Sequence, residues 1–97
     1  MAEEMVVARR RVRIANSLGL HLRAADAFVR LAQTYRAEVW VAREGLRVNG
    51  KSILDLISLA AAPGTSLDIE VRGLDAGEAV AALATLVTAG FDTDEGR

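Results

Sequence analysis

Apolar and polar side chains alternate with a period of two in four segments of the chain. These segments cover residues 11–14, 39–41, 46–48 and 66–72. Such alternation is typical of strands that have one buried and one solvated face. The pair Glu44-Gly45 lies between the second and third segments, which are therefore predicted to form an antiparallel hairpin. Four half-buried strands predict an antiparallel sheet that is covered on one face.

Apolar residues recur at helical spacing in three other segments. The first helix is predicted over residues 22–35 and the second over residues 53–59. A third helix is predicted after Asp75, which has the spacing of a capping pair with Glu78, and Gly90 is predicted to end it. The element order is therefore β-α-β-β-α-β-α.

This order predicts an α+β fold of two layers. We expect an open-faced β-sandwich in which a four-stranded antiparallel sheet has three helices on one face. Residues 9–90 are predicted to form one domain, with a loose tail at residues 1–8 and a loose acidic tail at residues 91–97. Trp40 shares its strand face with Glu38, so we predict this tryptophan on the outer side of the sheet.

Composition and charge exclude several classes of function. The chain has 97 residues, 52% of them hydrophobic, which allows one core but not two. It has no cysteine, no secretion signal and no apolar run of membrane-spanning length, so we expect a cytoplasmic protein without a membrane partner. The net charge of −1 gives no reason to expect nucleic acid. Arginines cluster over residues 9–13, and we interpret them as a solvated strand face rather than a binding patch.

The single histidine, His21, lies where the first helix is predicted to begin. A helix N-terminus presents unpaired backbone N–H groups and a partial positive charge, which together suit a phosphate. The same positive charge disfavours an imidazolium cation, so a neutral ring nitrogen can act as a nucleophile. Arg23, two residues later, could donate paired hydrogen bonds to the phosphate oxygens. Gly19 would give the approach to the helix its backbone freedom and leave room for a partner.

A lone histidine near a helix start can also be an ordinary surface residue. The spacing by itself leaves both interpretations open. The combination of a sole histidine, a preceding glycine, a following arginine and an alanine-rich helix start favours the phosphate site.

The segment Gly19–Ala25, with the sequence GLHLRAA, resembles the active-site motif of the HPr family. These proteins are the histidine-containing phosphocarriers of the bacterial sugar phosphotransferase system. Residues 48–53, VNGKSI, resemble the second signature of the family, and Pro63-Gly64-Thr65 with the strand and helix that follow also fits. The resemblance extends from Val12 to Ala89, in the element order predicted above.

The resemblance implies that His21 accepts a phosphoryl group from the phosphohistidine of Enzyme I, through the ring nitrogen nearer the backbone. His21 would then pass this group to a sugar-specific or regulatory A component. Arg23 would stabilise the phosphate, and the backbone amides of Leu22, Arg23 and Ala24 would form an anion cradle. Such a protein is a phosphoryl carrier with transferase-like chemistry rather than a turnover enzyme. It would need no cofactor and no metal, and we expect a monomer.

The predicted second helix is apolar around much of its circumference, so part of it should face outward. By the resemblance, Ile53, Leu54 and Ile57 form a hydrophobic docking patch beside His21, and Arg30 is a charged contact at its rim. A deeply covered helix with all its apolar residues in the core is the alternative.

Ser52 has two interpretations. By the resemblance it is the serine that an HPr kinase phosphorylates in some bacteria. The local sequence is already explained by a helix N-cap paired with Asp55, and we prefer that interpretation.

Two positions depart from the pattern of the family. Ala24 stands where proline is usual, which predicts a looser turn after His21. Asp26 stands where a small neutral residue is usual, and its negative charge would compete with a phosphate. These departures support an alternative function, a regulatory or ligand-sensing domain without efficient phosphotransfer.

Overall fold

A computed structural model describes residues 6–93 and has the predicted element order. Its elements are β1 (Val7–Arg13), α1 (Leu22–Ala32), β2 (Glu38–Arg43), β3 (Leu46–Asn49), α2 (Ile53–Ser58), β4 (Ser66–Arg72), α3 (Ala76–Thr88) and a final single-turn 3-10 helix (Gly90–Asp92). The four strands form one antiparallel sheet in the order β1-β4-β2-β3. This confirms the predicted α+β sandwich. No helix among residues 6–93 has the length and apolar character needed to cross a bilayer.

The predicted hairpin has the tightest possible connection. Arg43 pairs with Leu46, so Glu44 and Gly45 are the whole loop. Both have positive φ angles, 50° and 87°, which is the arrangement of a type I′ turn. This turn matches the right-handed twist of the two strands that it joins.

The core lies between the inner face of the sheet and the helices α1 and α3. Val39, Val41, Leu67, Ile69 and Val71 point inward from the two central strands. The largest fully buried side chains from the other layer are Phe28, Leu56, Leu59, Leu83 and Phe91.

Ordered structure extends beyond both predicted domain boundaries. At the N-terminal side, Val7 and Ala8 pair with Arg72 and Val71, so β1 begins before residue 9. At the C-terminal side, Phe91 is only 1% exposed and contributes to the core. It reaches the core because the backbone is left-handed at residues 90–92, which reverses the chain after α3. The remaining parts of the predicted tails, residues 1–5 and 94–97, lie outside the described residues.

One predicted helix end and one predicted helix cap also differ from the structure. The first helix ends at Ala32 rather than Tyr35, because the next residues form tight turns in which Thr34 N–H and Tyr35 N–H donate to the carbonyls three residues before them.

Asp75 occupies the N-cap position of α3, but its side chain makes no cap hydrogen bond. Its carboxylate accepts instead from the backbone N–H groups of Arg36 and Ala37, at 2.9 and 3.0 Å. The hydrogen bond from Arg36 is the main reason that the pKa of Asp75 is lowered.

The outer face of the sheet is solvated, as predicted for the arginine cluster, and four of its arginines form ion pairs. Arg11 Nε lies 2.9 Å from Asp68 Oδ1 across the β1–β4 ladder. Glu70 contacts three guanidinium groups, those of Arg72, Arg9 and Arg47, at 2.7, 3.0 and 3.2 Å. Trp40 lies on this face, with the Arg47 guanidinium 4.4 Å from its ring centroid. The predicted outer position of this tryptophan is therefore confirmed.

The arginine cluster around Glu70 predicts a pH-dependent contribution to stability. Hydrogen bonds from Arg72 and Arg9 lower the pKa of Glu70, so the carboxylate stabilises the folded state above the ordinary glutamate pKa of about 4.3. As the pH falls through the lowered pKa of the folded state, this contribution is lost. We expect Glu70→Gln to cost about 1 kcal/mol at pH 7 and much less at pH 3, measured by urea unfolding.

Glu44→Gln is the matched control, because Glu44 is exposed and contacts one arginine at 3.6 Å. Its stability difference from wild type should be small at both pH values. An equal loss for Glu70→Gln at pH 7 and pH 3 would show that the carboxylate charge is not what stabilises this face.

Candidate functional site

His21 is the N-cap residue of α1. Its backbone is extended, with φ −86° and ψ −176°, and its carbonyl accepts the first helical hydrogen bond, from Ala25 N–H at 2.8 Å. Its side chain also caps, because Nδ1 accepts a hydrogen bond from Arg23 N–H at 3.1 Å. The imidazole therefore does what a serine or aspartate oxygen does at most helix starts.

This hydrogen bond selects one tautomer of the ring. A nitrogen that accepts a hydrogen bond carries no proton, so the contact requires the tautomer with its proton on Nε2. The Nε2 atom is shielded from solvent. The lone pair of Nδ1 is therefore directed at the N-terminal amides of α1, and Nδ1 is the nitrogen that could act as a nucleophile at this helix end.

The loop before His21 is held against the segment that follows α2. Leu20 N–H donates to the Ala61 carbonyl at 2.9 Å, and the buried Asn16 amide donates to the Gly19 carbonyl at 2.7 Å. The sequence predicted only that Asn16 helps to end the first strand, and not this contact with the loop. An asparagine at a strand end usually indicates only a turn, and nothing in the local pattern distinguishes a buried, loop-closing asparagine from an exposed one.

Gly19 is required for one of the two predicted reasons and for a further one. Its φ is +70°, and a Cβ atom there would lie 2.5 Å from the Ala61 carbonyl oxygen and 3.2 Å from Ala62 Cα. The predicted backbone freedom is confirmed. The space beside Gly19 is filled by the chain's own backbone, however, so it is not room for a partner.

An open depression of about 620 Å³ lies beside the ring. It is lined by Leu18, His21, Leu22, Arg23, Asp26 and Ile53. Arg23 lies in the first turn of α1 and is exposed, whereas Ala24 is fully buried beneath it. The amides of Leu22, Arg23 and Ala24 occupy the first three positions of the helix, where N–H groups have no intrahelical acceptor.

The surface around the depression is apolar. Leu54 is 79% exposed, Ile53 and Ile57 are partly buried against the core, and Leu56 and Leu59 are buried. The helix α2 is thus divided between core and surface, as predicted. Leu18 and Leu22 are also about two-thirds exposed and were not predicted as contact residues, because each stands in a loop or helix start without apolar periodicity.

Arg30 is exposed on α1, one turn beyond the depression. Its Nε lies 2.9 Å from Oδ2 of Asp26, four residues earlier. The predicted rim arginine is therefore part of an ion pair within the same helix.

Ser52 is the N-cap of α2, and its Oγ accepts from Asp55 N–H at 3.2 Å. The Asp55 carboxylate does not return to Ser52, as a complete capping box would require, but accepts from Asn49 N–H at 3.3 Å. The preferred structural interpretation of Ser52 is therefore confirmed in its main contact. Phosphorylation of this serine stays a prediction.

Comparison with known proteins identifies the family of this chain. A family model described as the phosphorylation site of the PTS HPr component matches residues 8–89. The chain belongs to the HPr family. The expectation from the active-site segment and the second signature is thereby confirmed.

Individual relatives agree with this assignment. The chain is 45% identical over 84 residues to the phosphocarrier protein HPr of Neisseria meningitidis, covering 87% of this chain and 94% of that one. It is 40% identical over 84 residues to the phosphocarrier protein NPr of Klebsiella oxytoca, covering 86% and 93%. The crystal structure of HPr-C-His from Thermoanaerobacter tengcongensis superposes with a TM-score of 0.85 at 32% identity, covering 90% of this chain and 98% of that one. This member of the HPr family is accordingly a phosphocarrier of the phosphotransferase system.

The close approach of Gly19 to Ala61 predicts that the loop before His21 does not tolerate a side chain at position 19. We expect Gly19→Ala to destabilise the protein by more than the roughly 1–2 kcal/mol that a left-handed backbone costs an alanine, because a contact at 2.5 Å is added. Chemical denaturation of the variant and the wild type measures the difference.

Gly45→Ala is the matched control. Gly45 has a φ of +87°, but a Cβ atom there would have no atom within 4 Å. Gly45→Ala should lose only the free energy of unfolding that the left-handed backbone costs an alanine, roughly 1–2 kcal/mol. If the two variants were equally destabilised, the contact with Ala61 would not be what makes Gly19 necessary.

Proposed function

We propose that His21 accepts a phosphoryl group from the phosphohistidine of Enzyme I on Nδ1 and passes it to an A component of the phosphotransferase system. The observation that carries this proposal is the hydrogen bond from Arg23 N–H to Nδ1, which directs a neutral, nucleophilic nitrogen at the N-terminus of α1. Both reactions would take place in the cytosol, where the two partner proteins would meet the carrier.

The chemical step balances without a cofactor. The Nδ1 lone pair forms the new bond to phosphorus while the bond between phosphorus and the donor nitrogen breaks, and its electron pair returns to the donor imidazole. The proton on Nε2 stays where it is. The reverse geometry applies when the A component takes the group, so the same atom serves as nucleophile and as leaving group.

The helix end supports the transferred group. Once Nδ1 is bonded to phosphorus, Arg23 N–H loses its acceptor and can donate to a phosphoryl oxygen instead. The amides of Leu22 and Ala24 lie in the same first turn. Arg23, which lines the depression, would add a guanidinium to offset the charge of the phosphoryl group. Because one amide serves ring and phosphoryl group in turn, neither form of the carrier is strongly favoured.

Partner docking would use the apolar surface around His21. Leu54 is the most exposed large apolar side chain of the described residues, and Leu18, Leu22 and Ile53 extend its surface to the ring. An exposed apolar surface with a reactive group at its centre suits brief contact with more than one partner, because apolar contacts are tolerant of different side chains.

Phosphorylation by Enzyme I tests the proposal. With labelled phosphoenolpyruvate and Enzyme I, the wild type should gain an acid-labile phosphate and His21→Ala should gain none. His21→Ala loses only an N-cap, about 1 kcal/mol, and should stay folded by circular dichroism. Arg23→Ala should also stay folded and be labelled more slowly, since a phosphate contact is removed.

Two outcomes would contradict the assignment. Absence of label on the wild type, or equal label on His21→Ala, would remove the carrier function and favour a regulatory HPr-like domain. Unchanged kinetics in Arg23→Ala would show that the guanidinium does not stabilise the group.

The apolar surface predicts a separable docking defect. We expect Leu54→Glu to raise the KM of Enzyme I for this carrier about 5–30-fold, the effect of losing a central interface side chain. Its free energy of unfolding should change by no more than about 0.5 kcal/mol, because Leu54 is a surface residue.

Leu74→Glu is the control, since Leu74 is 70% exposed in the loop before α3, away from His21. It should leave the KM unchanged. A large loss of stability in Leu54→Glu, or the same KM change in both variants, would show that Leu54 is not a docking residue.

A further inference from the structure

Asp26 lies between two arginines on α1. Arg23 precedes it by three residues and Arg30 follows it by four. Side chains three and four residues apart are neighbours on a helix surface, with Cβ atoms about 5–6 Å apart. One carboxylate is therefore within reach of two guanidinium groups, of which one belongs to the phosphorylation site.

The carboxylate is paired with the more distant arginine. Asp26 Oδ2 lies 2.9 Å from Arg30 Nε, and the ion pairs within residues 6–93 include none that involves Arg23. Asp26 also lines the depression that contains His21 and Arg23. A negative charge thus lies at the edge of the space that a phosphoryl group would enter.

The two possible pairings of Asp26 have opposite consequences for His21. If Asp26 bound Arg23, its carboxylate would already neutralise the guanidinium charge that could otherwise stabilise the phosphoryl group. While Asp26 binds Arg30, its own charge is offset and the Arg23 guanidinium can turn to the phosphoryl oxygens. The choice of pairing therefore changes how well the site holds phosphate.

We propose that Arg30 is a positioning residue for phosphorylation, because it holds the Asp26 carboxylate away from Arg23. This inference rests on the proposed function and extends it to a pair of residues that do not touch the transferred group. It also explains how the site accommodates an aspartate at this position. The pair is exposed, with 78% of the Arg30 side chain and 41% of the Asp26 side chain accessible, so its effect is modest and sensitive to salt.

A positioning role of Arg30 can be distinguished from a direct contact of Arg30 with a partner protein. A direct contact is lost in Arg30→Gln whatever residue stands at position 26. A positioning role disappears when position 26 has no charge. The two roles are separated by a double-mutant cycle, which measures whether the effects of two substitutions depend on each other.

The experiment compares wild type, Arg30→Gln, Asp26→Asn and the double variant at low ionic strength. Two quantities are measured: the fraction of phosphorylated carrier at equilibrium with Enzyme I at a fixed ratio of phosphoenolpyruvate to pyruvate, and the hydrolysis rate of the isolated phosphocarrier. The second quantity needs no partner. Circular dichroism of each variant checks that α1 stays folded.

Arg30→Gln should lower the equilibrium constant for phosphorylation about 2–5-fold and change the hydrolysis rate, the range expected for an exposed ion pair. Asp26→Asn should raise the equilibrium constant or leave it unchanged, and the double variant should match Asp26→Asn. All differences should shrink at 1 M salt. If the substitutions acted through the stability of α1 instead, the equilibrium constants of Arg30→Gln and Asp26→Asn would shift in the same direction, because each substitution breaks the same ion pair.

Arg13→Gln removes one positive charge from β1, outside the depression, and serves as the control for net charge. It should leave both measured quantities unchanged. An equilibrium constant for Arg30→Gln equal to wild type, or a double variant as impaired as Arg30→Gln, would overturn the inference. A wild type that takes no label from Enzyme I would overturn the proposed function itself, which is a distinct result seen before any variant is compared.

Discussion

The hydrogen bond from Arg23 N–H to His21 Nδ1 is the interaction on which the geometry of the candidate site and the proposed function depend. A helix start needs an acceptor for its first amides, and small oxygen-bearing side chains are the usual choice. Here an imidazole fills that role. The need of the helix for a cap therefore directs the Nδ1 lone pair at the amides that suit a phosphate.

The position of the cap is determined by the backbone around it. Gly19 lets the loop approach the carbonyl of Ala61 more closely than any other residue would allow, and Leu20 N–H donates to that carbonyl. Asn16 closes the loop from the strand side. These contacts attach His21 to the segment after α2. Leu54, near the N-terminal end of α2, is exposed to solvent. The imidazole ring and the apolar surface beside it are thus connected through hydrogen bonds to the backbone.

Ion pairs distinguish the electrostatics of the candidate site from those of the rest of the surface. On the outer face of the sheet, Asp68 and Glu70 hold four of the arginines in ion pairs. On α1, Arg30 holds Asp26. These pairs leave the first turn of α1 as a place where positive charge meets an open depression, although the chain as a whole carries a net charge of −1. A local site for a phosphoryl group therefore needs no excess of positive charge in the composition.

Periodicity by itself determined the element order, the antiparallel sheet and the outer position of Trp40, because alternation and helical spacing report which face of an element is buried. The same spacing predicted that His21 lies at the start of the first helix, where the structure has it as the N-cap of α1. The tertiary structure alone decided the role of Asp75, which binds Arg36 and Ala37 rather than its own helix, and the burial of Phe91. It also decided that Ala61 fills the space at Gly19 and that Asp26 pairs with Arg30 rather than Arg23. Contacts with distant backbone, and choices between two equally near partners, depend on where other segments pack, and no local pattern of residues records that.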